Sequence, residues 1–99
     1  MTINKTVEND TLVLVLEGRL DTVSSPLLEN ALVSALEEAK KITMDFAKLA
    51  YISSAGLRVL LMGQKSAKAN DAAITITGVS EEIMEIFEMT GFSDILTIE

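Results

Sequence analysis

Stretches with strand-like alternation are interleaved with stretches of helical spacing, and that order constrains the fold more than any other feature of the chain. The clearest strand is "TLVLVLEG", where Leu12, Leu14 and Leu16 point one way and Val13 and Val15 the other. Apolar residues on both faces predict a strand central in its sheet, closed by Gly18. Before it, "TINKTVEN" alternates weakly and reads as an edge strand. Asn9-Asp10 between the two is a turn signal that predicts a hairpin. "KKITMDFAKL", "AAITITGV" and "DILTIE" supply further strands.

Three helices fill the gaps. Ser25-Pro26 reads as a hydroxyl N-cap followed by proline at the first helical position, ahead of a stripe of Leu27, Leu28, Ala31, Leu32, Ala35 and Leu36. The second helix is predicted from about Ser54 to Lys68, with Leu57, Leu60, Leu61 and Gln64 on one side and Val59 and Met62 flanking them. Asn70 and Asp71 end it. Ser80 caps the third, with Glu81 and Glu82 at its positive end, Ile83, Ile86, Phe87 and Thr90 as its inner face, and Gly91 as its stop. The order is β-β-α-β-α-β-α-β. It predicts an α/β fold: a mixed, mostly parallel sheet of about five strands with three main helices and right-handed crossovers. A length of 99 residues suits one domain, 1–99.

Composition removes several classes of function. There is no histidine and no cysteine, so the commonest general base, the commonest metal ligand and any thiolate site are missing. No catalytic residue, metal or cofactor is expected. The net charge of −7 argues against nucleic acid and against anionic lipid. No apolar run approaches the ~20 residues of a membrane span, and "MTINKTVEND" is not a signal peptide. A cytoplasmic protein is expected.

The segment "YISSAGLRVLL", Tyr51 to Leu61, passes from strand-like to helical at two adjacent serines. Two readings stand for these hydroxyls. One of them is simply a helix N-cap. Alternatively, one is a modification site, because a helix N-terminus offers free N–H groups and partial positive charge that tolerate a phosphate. Gly56 would let another surface approach the first turn closely. A serine nucleophile is excluded on chemical grounds, since no histidine is present and the lysines read as solvated. Arg58 reads either as a solvated side chain or as a contact to an acidic partner or to a new phosphate.

Three segments carry a resemblance to a known family. "LEGRLD" (Leu16 to Asp21), "DFAKLAYISSAGLRVLL" (Asp45 to Leu61) and "GVSEEIMEIFEMTGFSDILTIE" (Gly78 to Glu99) resemble the STAS domain, and within it the bacterial anti-sigma factor antagonists. The resemblance spans nearly the whole chain. It implies phosphorylation of Ser54, followed by Ala55, Gly56 and Leu57, with Ser53 as the lesser candidate because it stands where the family pattern has aspartate. It implies that Asp21 faces the phosphosite and orients the hydroxyl; from the residues alone, Asp21 is equally a turn residue. Asp21, Thr22, Ser53, Ala55, Gly56 and Arg58 are the implied partner-binding residues. The implied partners are an anti-sigma factor with serine kinase activity, which uses ATP and Mg²⁺, and a metal-dependent serine phosphatase. The other role within the family is a constitutive STAS adaptor of a transport or lipid-trafficking complex, with no phosphoswitch.

Overall fold

The computed structural model describes residues 1–99. The elements are β1 (Thr2–Glu8), β2 (Thr11–Leu20), α1 (Ser25–Glu38), β3 (Lys41–Ile52), α2 (Ser54–Ala69), β4 (Ala73–Thr77), α3 (Glu81–Thr90), a 3₁₀ turn (Phe92–Asp94) and β5 (Thr97–Ile98). The sheet runs in the order β1-β2-β3-β4-β5, with β1 antiparallel to β2 and the rest parallel. The predicted hairpin is present, and Asn9 makes its turn in the left-handed region.

Strand order that climbs without reversal has a geometric consequence. Each parallel crossover is right-handed, so each places its helix on the same side of the sheet. Leu12, Leu14 and Leu16 of β2, Ile42, Met44 and Phe46 of β3, and Ile74 and Ile76 of β4 all face that side and are buried there. Leu28, Leu32 and Ala35 of α1, Leu57, Leu60 and Ala67 of α2, and Ile83 and Phe87 of α3 complete one core with them. The rings of Phe46 and Phe87 sit 6.5 Å apart in a tilted arrangement. The opposite sheet face carries no helix. Val13 and Val15 lie on it and are only half-buried. β2 is interior to the sheet, paired with β1 on one side and β3 on the other, as its pattern predicts. Its second apolar face is not covered by a helix, and the valines there reflect strand propensity on an open face.

Further sequence expectations need correction. Ser24, not Ser25, is the N-cap of α1; Ser25 is its first helical residue and is 5 % exposed, its hydroxyl donating to the Asp21 carbonyl. Leu27 faces outward at 47 % exposure, and Thr90 lies on the surface rather than on the inner face of α3. On α2, Val59 and Gly63 point inward while Leu61 and Gln64 flank the core. Gly63 explains the rotation: a β-carbon there would stand 2.9 Å from Leu32 Cδ1, so α2 is seated on α1 by the absence of a side chain. Gly18 does not end β2, which continues to Leu20 through Gly18 at φ 108°.

Two register shifts lie near that glycine. Pairing moves from Val15↔Asp45 to Glu17↔Lys48 and from Gly18↔Leu49 to Arg19↔Tyr51, so β3 holds an extra residue at each. The inward residues of β3 are therefore Phe46, Leu49 and Ile52, three apart, where a regular strand would place them two apart. These bulges set the direction in which the strand delivers the residues that follow it.

Candidate functional site

Two turns leave the same edge of the sheet side by side. Leu20 at the end of β2 is opposite Ile52 at the end of β3, and the Ser53 N–H donates to the Leu20 carbonyl at 2.9 Å. The residues that follow, Asp21 to Ser24 and Ser53 to Arg58, form adjacent parts of one surface. The sequence places them about thirty residues apart; parallel pairing of β2 with β3 brings them together.

The first turn is closed upon itself. Asp21 Oδ1 accepts from the Val23 N–H at 3.1 Å, the Ser24 N–H at 3.0 Å and the Ser24 hydroxyl at 3.1 Å. Ser24 Oγ lies 2.7 Å from the Arg19 carbonyl and accepts from the Asp21 N–H at 2.9 Å. Hydrogen bonds from the Ser24 backbone and side chain hold the Asp21 carboxyl below its ordinary pKa; the Val23 N–H and the Arg19 charge act in the same direction. Asp21 makes no hydrogen bond to Ser53 or Ser54. Its second oxygen lies 3.9 Å from Arg19 Nε.

The second turn is open. Ser53 is the N-cap of α2, and its Oγ accepts from the Gly56 N–H at 3.4 Å while its carbonyl accepts from the Leu57 N–H at 3.0 Å. Of the two readings of the hydroxyls, capping therefore falls to Ser53. Ser54 is the first helical residue; it is exposed, and its hydroxyl has no hydrogen-bond partner in the chain. Ala55 is half-exposed and Gly56 is buried. A β-carbon on Gly56 would meet Leu20 Cγ at 2.7 Å and Ile52 Cγ1 at 3.0 Å. The glycine thus lets α2 sit down on the ends of both strands, rather than clearing space for a partner. Arg58 and Thr22 are exposed.

Three neighbours of this surface escaped the sequence reading. Arg19 lies over the Tyr51 ring, 4.1 Å from its centre, and Tyr51 is 39 % exposed. Val23 in the first turn is 89 % exposed, beside Thr22. The bulges bring Arg19 opposite Tyr51, and a regular register would not. Only Val23 left a signal, as an apolar residue in a polar turn. Ligand crevices in open parallel sheets form where strand order reverses, and here it does not reverse.

Comparison with known proteins places this architecture. A family model described as "Mlab, STAS domain" matches residues 3–97. The anti-sigma-B factor antagonist of Listeria monocytogenes is 28% identical over 93 residues, covering 93% of this chain and 82% of that protein. The anti-sigma-B factor antagonist of Staphylococcus epidermidis is 33% identical over 82 residues, covering 82% of this chain and 76% of that protein. Among solved structures, the unphosphorylated form of the anti-sigma factor antagonist SpoIIAA superposes with a TM-score of 0.78 at 17% identity, covering 99% of this chain and 87% of that one. The phosphorylated form of the Bacillus protein SpoIIAA superposes at 0.77 and 18% identity, covering 99% and 91%. The chain belongs to the STAS family.

Proposed function

We propose that this STAS chain is an anti-sigma factor antagonist, switched off by phosphorylation of Ser54. The observation that carries the reading is the division of labour between adjacent serines. Ser53 holds the helix, and the Ser54 hydroxyl one residue on is exposed and without a partner. The names of the curated relatives support the general role. In its unphosphorylated state the chain binds an anti-sigma factor and so releases the sigma factor. The anti-sigma factor is itself a serine kinase. It transfers the γ-phosphoryl group of ATP to Ser54 Oγ; the bond from phosphorus to the bridging oxygen breaks, ADP leaves, and the hydroxyl proton passes to a base of the kinase. A metal-dependent phosphatase reverses the modification.

Charge does the switching in this reading. Phosphate adds about −1.5 to −2 to a chain already at −7, in the middle of the contact surface. Repulsion and desolvation of about 3 kcal/mol weaken a complex roughly a hundredfold. Refolding is not required, because negative charge at a helix N-terminus does not oppose the helix dipole. Asp21 serves here by fixing the neighbouring turn against which the partner docks. The test is calorimetric titration of the anti-sigma factor. Ser54→Asp should weaken binding at least tenfold with its melting temperature unchanged, and Ser54→Ala should bind like the unmodified chain but resist inactivation by kinase and ATP. A Ser54→Asp protein that binds as well as wild type overturns the switch and leaves the constitutive adaptor.

A further inference from the structure

The helices differ sharply in charge. α1 carries Glu29, Glu37 and Glu38 and no cation, and α3 carries Glu81, Glu82, Glu85 and Glu88 and no cation. Between these sequences, α2 carries Arg58, Lys65 and Lys68 and no acid. The ion pairs of the chain join Lys5 to Glu38, Arg19 to Asp21 and Lys41 to Asp10, so none of them uses a cation of α2. In a protein of net charge −7, three exposed, unpaired cations are gathered on one helix.

Their spacing puts them in line. Ser54, Arg58, Leu61, Lys65 and Lys68 follow one another at intervals of four, three, four and three, which keeps them on a single side of a 3.6-residue helix. That side is opposite the buried Gly56, Leu60, Gly63 and Ala67. The strip is not purely polar. Partly exposed Leu61 lies among the cations, and Met62 beside them packs partly on the core; with Arg58, Lys65 and Ser66 they line a shallow groove. A second groove runs from Leu61, Lys65 and Lys68 to Asp94 and Ile95. Asp94 is its acidic residue and forms no ion pair with either lysine.

We infer that the outer strip of α2 is a docking surface for an acidic protein surface with an apolar centre. Cations around a small apolar patch match the polar rim and apolar middle of a protein interface. Charge complementarity at the rim speeds encounter and fixes register. The net charge of −7 disfavours nucleic acid or an anionic membrane as the occupant, because either presents charge over an area wider than this strip. The inference rests on the proposed function, since the strip begins at Ser54 and its occupant is then the anti-sigma factor. The strip extends the contact well beyond the switch: Lys65 lies about 16 Å along the helix from Ser54 at 1.5 Å per residue.

The test is binding of the anti-sigma factor to the whole chain as a function of salt, with the double variant Lys65→Glu/Lys68→Glu and with Lys48→Glu on the helix-free side of the sheet as a charge control. Wild type should weaken as salt rises. The double variant should lose at least tenfold at low salt and show a flatter salt dependence, and Lys48→Glu should stay within twofold of wild type. A double variant that binds like wild type overturns the strip, even where Ser54→Asp still abolishes binding. Wild type that does not bind the anti-sigma factor defeats the proposed function and this inference together. Self-association of the chain that the double variant loses would assign the strip to a second copy, and equal losses from Lys48→Glu would reduce the effect to net charge; both overturn the proposal.

Discussion

The turn after β2 and the turn after β3 begin as equals. Both follow parallel neighbours at one edge of the sheet, both contain two consecutive serines, and both open a long helix. In the first, Asp21, Ser24 and Ser25 direct their polar atoms inward, to one another and to the backbone of their own turn. In the second, only Ser53 does so, and Ser54 is left free. The difference comes from the residues that precede the serines. In the first turn an aspartate three positions before the cap gathers the local N–H groups. The bulged end of β3 runs directly into its cap, so the following hydroxyl has nothing to reach. A closed turn makes a fixed wall, and an open one beside it exposes a free hydroxyl.

Removing the shared floor of the two turns should have the largest effect. Gly56→Ala pushes a β-carbon against Leu20 Cγ at 2.7 Å and Ile52 Cγ1 at 3.0 Å. The expected loss is about 1–3 kcal/mol in urea unfolding. A neutral result would mean that α2 is free to lift from the strand ends and that the turns are not rigidly coupled.

Opening the closed turn comes next. Ser24→Ala removes the Oγ that lies at the Arg19 carbonyl and receives the Asp21 N–H, and should cost about 1 kcal/mol. Acid probes the same network. Asp21 has a folded pKa lowered from 3.8, so its contribution is present above that value and fades as pH falls through the lower folded value. The stability difference between wild type and Asp21→Ala, measured by urea unfolding, should therefore be full at pH 7 and shrink below pH 3.8. A difference independent of pH would remove the carboxylate from the account.

The smallest effects separate the two adjacent serines. Ser53→Ala should lower stability by about 0.5–1 kcal/mol, a modest cap loss in keeping with its long 3.4 Å bond. Ser54→Ala should change it by less than about 0.5 kcal/mol. The reverse order would assign the cap to Ser54 and invert the comparison.

Much of this was legible in the sequence. The order of elements followed from the change of period between segments, and the caps of α3 and the stop at Gly91 followed from residue type, since Ser80 Oγ accepts from Ile83 N–H and Gly91 is left-handed. The helix-free sheet face was not legible. Valine at 13 and 15 satisfies an open strand face as well as a covered one. The bulges were not legible either, and with them went the inward placement of Leu49 and Ile52 and the stacking of Arg19 on Tyr51. A bulge has no residue type of its own here; it is set by pairing with another strand. The candidate serines were narrowed to two by their place before a helical run, and only the backbone shows which of them caps it.

The assignment proposed for the two serines makes Ser53 the structural hydroxyl and Ser54 the modified one. It is tested most directly by intact-mass measurement and peptide mapping of the protein purified from its native cells across growth conditions. A single added phosphate is expected, carried by Ser54 and absent from Ser53. Phosphate on Ser53, or none under any condition, would contradict it.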